Sequence, residues 1–379
     1  MVDKLFPLGH PVPEEDLVGR LHFVDTLVSR LEEGDSIMLA GPRRIGKTSL
    51  AQEALRRLKD KWCYTAAVDC FALRDRKHLA EKIVEGCLAN RTGLPRTLAS
   101  IREKVRSFAP VPVSIKVQDL DLEISLFLNQ KASPDELLDQ ALEFPQKLAE
   151  KDDRRVVVLF DEFQEASVVA GEDIFKRMRA AFQKQNRVSY LFLGSKEGIM
   201  RSLFSSRRQA FYRFAVPLPV PSVPAEAWLA YIVEKYAGRG IEADRNIVGE
   251  LLELTGGHPY DTMLLCNEAY HLLLQTGGRE LTLTLLRQAH AQALRILEPA
   301  FTEILDELGK SAHMREVICR LAADSRPYRG GTHPSSVART LDRLVEKGVI
   351  EKVIRGQYRF VEPMFKDYVT ELFACERKH

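Results

Sequence analysis

The sequence predicts an α/β protein: a parallel sheet carrying a phosphate-binding loop, then a helical region, then a small winged-helix-like end. Three observations point there. Gly41-Pro42-Arg43-Arg44-Ile45-Gly46-Lys47-Thr48 fits the pattern G-x-x-x-x-G-K-[ST] at every fixed position. Val156-Val157-Val158-Leu159-Phe160 is a continuous apolar run ending in Asp161-Glu162, as expected for a strand buried on both faces. Beyond Pro217, Pro219, Pro221 and Pro224 the periodicity turns helical, until two short runs flanking Arg355-Gly356 read as a hairpin.

Taken in order, residues 1–35 hold turn formers (Pro7, Gly9, Pro11, Pro13), then Leu17-Val18-Gly19-Arg20, then a helix over 21–33. A short strand over 36–40 leads into the glycine loop, and Leu50, Ala51, Ala54, Leu55 and Leu58 recur at helical spacing behind it. A second strand over 62–70 contains Asp69, and a helix follows over 77–89. Ile115 and Val117 alternate with polar residues, and Leu120, Leu122, Ile124 and Leu126 alternate in the opposite register, which predicts two strands separated by a bulge or turn. Ser133-Pro134-Asp135-Glu136 opens a helix with a capping box and proline at its first position. The helix after Asp161-Glu162 buries Ile174, Phe175, Met178 and Phe182; a strand over 190–193 delivers Gly194-Ser195; residues 211–218 read as one more strand.

Helices are expected over 225–236, 244–254, 260–274 and 283–308, with Gly256-Gly257-His258-Pro259 interrupting them. A helix over 314–322, a second from Pro334 to about Gly348 and the hairpin complete the pattern. The expected domains are residues 1–218 for the nucleotide, 219–309 as a helical lid and 310–379 as a winged-helix-like unit.

The chemistry follows from the strand ends. Backbone N–H groups of Gly41 to Ser49 point into one spot at a helix N-terminus, where partial positive charge favours a polyphosphate. Lys47 supplies a point charge to the β- and γ-phosphates, and Thr48 a hydroxyl ligand for Mg²⁺. Asp161 is expected to hold the same ion through its water shell, and Glu162 to orient the attacking water as general base. Ser195 fits a bond to the γ-phosphate or the water, and equally a helix cap. Arg213 fits a catalytic guanidinium acting in its own or a neighbouring subunit; Arg207 and Arg208 compete, and a surface salt bridge accommodates each.

With 379 residues the chain has room for two or three cores, and 45% hydrophobic with 28% charged residues is the composition of a folded protein. A net charge of +2 makes no case for a large nucleic-acid surface. The end of the chain is slightly basic: Arg339, Arg343 and Lys347 share one side of a helix, with Lys352, Arg355 and Arg359 on the hairpin, which fits DNA contact or a solvated, protein-binding face. Six scattered cysteines without C-x-x-C read as buried free thiols. No signal core or membrane span is apparent, so a cytoplasmic location is expected, and no second ATPase core or strongly basic channel suggests a motor.

Together these residues resemble the prokaryotic, largely archaeal ATPases of the STAND branch of AAA+ proteins, relatives of the origin-recognition initiators. The likeness rests on Phe6 to Val12, Val18-Gly19-Arg20, the double-arginine loop 41–50, Leu159-Phe160-Asp161-Glu162-Phe163-Gln164, Gly194-Ser195, Phe211-Tyr212-Arg213 and Gly256-Gly257-His258-Pro259-Tyr260. It implies ATP and ADP as ligands, with Pro11, Val12 and Val18 to Arg20 walling the base on one side and Gly257, His258 and Pro259 closing on the other. It also implies Ser195 as the sensor, nucleotide-dependent oligomers, and a switch in which ATP hydrolysis changes how the winged helix is held. The rival is a DNA- or protein-binding regulator with a mainly structural nucleotide. Arg20 precedes Leu21-His22, where such proteins carry an acidic residue, and residues 324–333 are too few for a bracing helix between the last two.

Overall fold

The computed structural model describes residues 4–89, 133–309, 312–328, 333–354 and 356–375. Five parallel strands, β1 (Ile37–Ala40), β2 (Tyr64–Asp69), β3 (Val156–Asp161), β4 (Val188–Phe192) and β5 (Val216–Pro219), form one sheet in the order β2-β3-β4-β1-β5. Placing β1 beside β4 and β4 beside β3 brings the carboxyl ends of all three together. Ligands of open parallel sheets bind beyond such ends.

Side chains alternate along β3, so its two faces feed different cores. Val156, Val158 and Phe160 face an aromatic cluster with Phe163, Phe192, Phe204 and Phe211. Val157 and Leu159 face α1 (Leu21–Glu33) and α2 (Lys47–Asp60), against Leu27, Leu31, Leu50 and Ala54. The first core also takes in α3 (Arg76–Leu88), α4 (Pro134–Asp152) and α6 (Ile174–Phe182), with the short α5 (Ala166–Ala170) leading into α6. The capping box at Ser133 is formed with Glu136.

The last strand is shorter than the sequence suggests. Residues 211–214 form a turn in which the Phe214 N–H donates to the Phe211 carbonyl at 2.9 Å. Phe211 is fully buried and Phe214 packs beside it, ring centroids 5.4 Å apart. That spacing of three matches a turn, whereas a strand would send such a pair to opposite faces. Pro217 and Pro219 sit in β5 because it is an edge strand, where a missing donor breaks no ladder. The strands expected between 115 and 126 lie outside the described residues.

After α7 (Glu197–Ser205) and β5 come α8 (Ala225–Ala237), α9 (Arg245–Thr255), α10 (Pro259–Thr276) and α11 (Leu283–Leu308). The chain then forms α12 (Ala312–Ala322), α13 (Pro334–Glu346), an antiparallel pair β6 (Ile350–Ile354) and β7 (Gln357–Phe360), and α14 (Pro363–Leu372). The sequence reading missed α14, although Pro363 at its first turn and Met364, Phe365, Tyr368 and Val369 at helical spacing signal it. Phe365 and Tyr368 pack on Phe301 of α11, ring centroids 5.2 and 5.4 Å away. One hydrophobic core therefore runs from α8 through α14 without interruption.

Two cysteines correct the free-thiol expectation. Cys319 and Cys375 form a disulfide that ties α12 to the segment after α14, with Cα atoms 5.2 Å apart. Their separation of 56 residues gives no spacing signal. Cys63, Cys70, Cys87 and Cys266 are free and buried. Among the described residues no helix is long and apolar enough to cross a membrane.

Candidate nucleotide site

Gly46, the residue before α2, has φ of 92°, and a Cβ there would approach Arg20 Nη2 to 2.9 Å, so only glycine fits the loop at that point. Arg20 is buried beneath the loop, where its Nη1 donates to the Ile45 carbonyl at 2.5 Å. Burial pulls its guanidinium down to about 10. It braces the loop as well as lining the cleft.

Lys47 opens α2 and is buried. Its Nζ donates to the carbonyls of Gly41 at 2.9 Å and Pro42 at 2.6 Å, folding the ammonium over its own loop. Burial lowers its pKa to about 8, against the opposing pull of Glu162, Glu197 and Asp161. Thr48 Oγ1 donates to Asp161 Oδ2 at 3.0 Å, joining the end of β3 to the first turn of α2. Burial raises the Asp161 pKa, although Thr48 and the Glu162 N–H donate to it. A hydroxyl and a carboxylate at this separation are hard oxygen donors that suit Mg²⁺, an ion held by one or two side chains with waters and phosphates supplying the rest. Among the described residues no group of three or more His, Cys, Asp or Glu side chains is placed to hold a metal ion.

Glu162 follows in a left-handed conformation, φ 47°. Its Oε2 accepts from Ser195 N at 3.0 Å, Ser195 Oγ at 2.8 Å and Gln164 Nε2 at 2.5 Å. Burial pushes its pKa up, but these donors and Lys47 outweigh it, and the net shift is downward. Ser195 caps no helix: the residue before α7 is Lys196, with no side-chain cap. Its hydroxyl is committed to Glu162.

The other walls come from the chain's beginning and from the helices. A cleft of about 420 Å³ lies between residues 7–12, Val18 and the loop on one side and Trp228, Pro259, Tyr260 and Met263 on the other. Val12 N–H donates to Ser49 Oγ at 3.2 Å, fixing Pro11 and Val12 over α2. Gly19 has φ of 64° and a Cβ there would lie 2.7 Å from Ala227, so the turn packs directly on α8. Asp16, which the sequence reading missed, lines the cleft and holds Tyr231 at 2.6 Å and Lys235 at 2.7 Å. A lone acidic residue among turn formers carries no signal for that role.

His258 is not among the residues lining the cleft. Its Nε2 lies 3.3 Å from the Arg43 carbonyl, and its Nδ1 lies 3.6 Å from Asp261 Oδ2, an ion-pair separation longer than a hydrogen bond. A carbonyl only accepts, so Nε2 carries a hydrogen, and the facing carboxylate favours a second on Nδ1. Burial pulls the imidazole toward neutrality, but Asp261, Glu362 and the Arg43 carbonyl more than reverse this, and its pKa is raised. Glu362, at the start of α14, is mostly buried beside it, 4.0 Å from Arg44, whose guanidinium also lies 4.5 Å over the Tyr260 ring. Gly256 packs on Pro363, which a Cβ would approach to 2.7 Å. The phosphate loop, the loop before α10 and α14 thus meet at one buried junction.

This junction gives a pH prediction. A raised histidine pKa contributes stability that is complete below the unfolded value and lost as pH rises through the folded one. The His258 contribution to thermal stability is expected to be lost as pH rises above the ordinary histidine range, so the wild type falls more steeply there than His258→Asn. Calorimetric melts at matched ionic strength check this; identical slopes would contradict a charged His258.

Arg213 is not brought into the cleft. It lies exposed in the turn before β5, φ 55°, its guanidinium 5.3 Å from the Tyr212 ring. Of the basic residues on α13, Arg343 donates to the Glu307 carbonyl at 2.7 Å and Arg339 is exposed, while Lys347, just after the helix, pairs with the Glu307 carboxylate at 2.7 Å. Arg355 lies outside the described residues.

A parallel sheet in this order, with a glycine loop after β1 and an acidic pair after β3, defines a P-loop NTPase of the AAA+-like type. The chain belongs to the family described as an ATPase domain predominantly from Archaea, whose model matches residues 19–263. No curated protein matches. Among solved structures it is similar to a Walker-type ATPase of Pyrococcus abyssi, with 18% identity, 96% of this chain and 99% of that chain covered, and a TM-score of 0.69. It is also similar to the ORC2 protein of Aeropyrum pernix in ADPNP-ADP complexes, with 15% identity, 98% of each chain covered and a TM-score of 0.58. At these identities the likeness shows the fold.

Proposed function

We propose that this chain binds ATP with Mg²⁺ and hydrolyses it slowly, as a STAND-type switch that couples the sheet unit to the helical lid and a winged-helix-like end. The observation that carries the reading is the pair of bonds joining three strand ends: Thr48 to Asp161, and Ser195 to Glu162. Bound Mg²⁺ would supply charge neutralisation on the phosphates, with Thr48 and Asp161 as its side-chain ligands. Lys47 exchanges its two carbonyl contacts for phosphate oxygens, Glu162 stays ionised to orient a water, and Ser195 reports between them. One set of contacts supports the switch. Arg43 and Arg44 belong to the phosphate loop and touch His258, Tyr260 and Glu362, so a loop rearrangement is felt at α10 and α14. The adenine preference is supported by the fold's likeness to a protein solved with ADPNP and ADP.

Arg213 lies outside the cleft in this conformation, and turnover is expected to be slow where no catalytic arginine is supplied. A DNA or protein partner of α13 must compete with the exposed Lys347–Glu307 pair, which contributes only about 0–1 kcal/mol and is a small obstacle.

Lys47→Met tests the reading. Loss of a charged hydrogen-bonding group is expected to weaken ATP binding by about 10- to 100-fold, read by isothermal titration with Mg²⁺ present. Equal affinity in the variant would exclude the loop as the phosphate site.

A further inference from the structure

We infer that Gln164 is a positioning residue for Glu162, holding one carboxylate oxygen against Ser195 so that the other is left for the water. This rests on the hydrolysis reading above.

Gln164 lies on the 3₁₀ turn directly after β3 and is 4% exposed. Glu162 is ionised and a carboxylate only accepts, so the Gln164 amide must present its NH₂ there, at 2.5 Å from Oε2. That choice turns the amide oxygen inward, where Oε1 is buried without a hydrogen-bond partner. A buried unpartnered amide oxygen is costly, and natural proteins retain few of them. What the arrangement gains in exchange is the grip on Glu162.

Two neighbours show that the space is shaped for this side chain. Gly194 immediately precedes Ser195, and a Cβ on it would collide with Gln164 Oε1 and with Met200 Cγ. The left-handed Glu162 backbone points the chain so that residues 162 and 164 fall on the same side of the turn, and Glu165 Oε1 lies 3.4 Å from the same amide nitrogen. With three donors converging on Oε2, that oxygen is saturated. Only Oε1 of Glu162 remains to align a nucleophile, and its direction is fixed by the amide on one flank and Ser195 on the other. A misplaced base costs rate without costing affinity, because it touches neither the phosphates nor the purine.

The test compares the full-length wild type with Gln164→Met, which keeps the length and removes the donor, and with Gln164→Glu, which keeps the shape and replaces the donor by an acceptor. In both variants kcat for ATP is expected to fall about 10- to 100-fold with KM changed less than about threefold. In the nucleotide-free proteins, hydrogen exchange at the Ser195 amide is expected to accelerate at least about tenfold in both variants, since its acceptor is no longer held. Wild-type kcat in either variant overturns the positioning role, as does unchanged exchange at Ser195. A wild-type protein that binds ATP and releases no phosphate overturns the hydrolysis reading instead, while the exchange measurement still decides whether Gln164 holds Glu162.

Discussion

Glu162→Gln is expected to lower steady-state phosphate release by about 10²- to 10⁴-fold while ATP still binds with near wild-type affinity. The substitution keeps the side chain's length and preserves an acceptor oxygen for the Ser195 N–H and hydroxyl, at 3.0 and 2.8 Å in the wild type. It removes the charge and the basicity and replaces the second acceptor oxygen by an NH₂ donor. The residues proposed for binding, Lys47 and Thr48, contact the Gly41 and Pro42 carbonyls and Asp161, so none of their hydrogen bonds is lost with the Glu162 carboxylate. A phosphate-release assay beside a titration of the same sample separates the two effects. Undiminished turnover would remove Glu162 from the proposed mechanism.

The second large effect is on stability. Phe163→Ala is expected to cost about 3–5 kcal/mol, the range for truncating a buried phenylalanine. Phe163 is fully buried, and its ring lies 4.6 Å from Phe192, 5.0 Å from Phe175 and 5.1 Å from Phe211, centroid to centroid. Such a tightly surrounded ring leaves a cavity that its neighbours cannot close. Because Phe163 also separates Glu162 from Gln164, the variant should lose turnover beyond what its unfolded fraction explains. Urea unfolding monitored by circular dichroism reads the stability directly: a lowered midpoint at unchanged slope is the expected result, and an unchanged midpoint would contradict the cluster's role.

Most of the sheet unit was legible in the sequence because each strand carries an unambiguous mark. Val156 to Phe160 is apolar throughout, and Lys47 and Thr48 stand at fixed offsets from Gly41. The bond between Thr48 and Asp161 confirms that the two motifs converge, 113 residues apart in the chain. What escaped the sequence depends on directions, not on spacing. Phe211 to Phe214 has the propensity of a strand, and only the aromatic cluster decides that it turns. His258 follows two glycines and was expected to face the base, yet the Asp261 carboxylate three residues on draws its ring toward the junction. Asp16 and Glu362 were silent, and Gln164 belonged to the motif after β3 without a role, for the same reason: an isolated polar residue shows its partner only when the fold brings one.

The uninterrupted core from α8 to α14 has a mechanical consequence. Phe301, Phe365 and Tyr368 interlock α11 with α14, and the Cys319–Cys375 bridge ties α12 to the segment after α14. Separating these layers would expose apolar surface at about 25 cal/mol per Å², so they have no cheap parting plane. In the proposed switch, the described residues from α8 to α14 would therefore respond to the phosphate loop as one body. The proline-containing segment 220–224 joins β5 to that body, and the pairing of Arg44 with Glu362, 4.0 Å apart, links the phosphate loop to its far end.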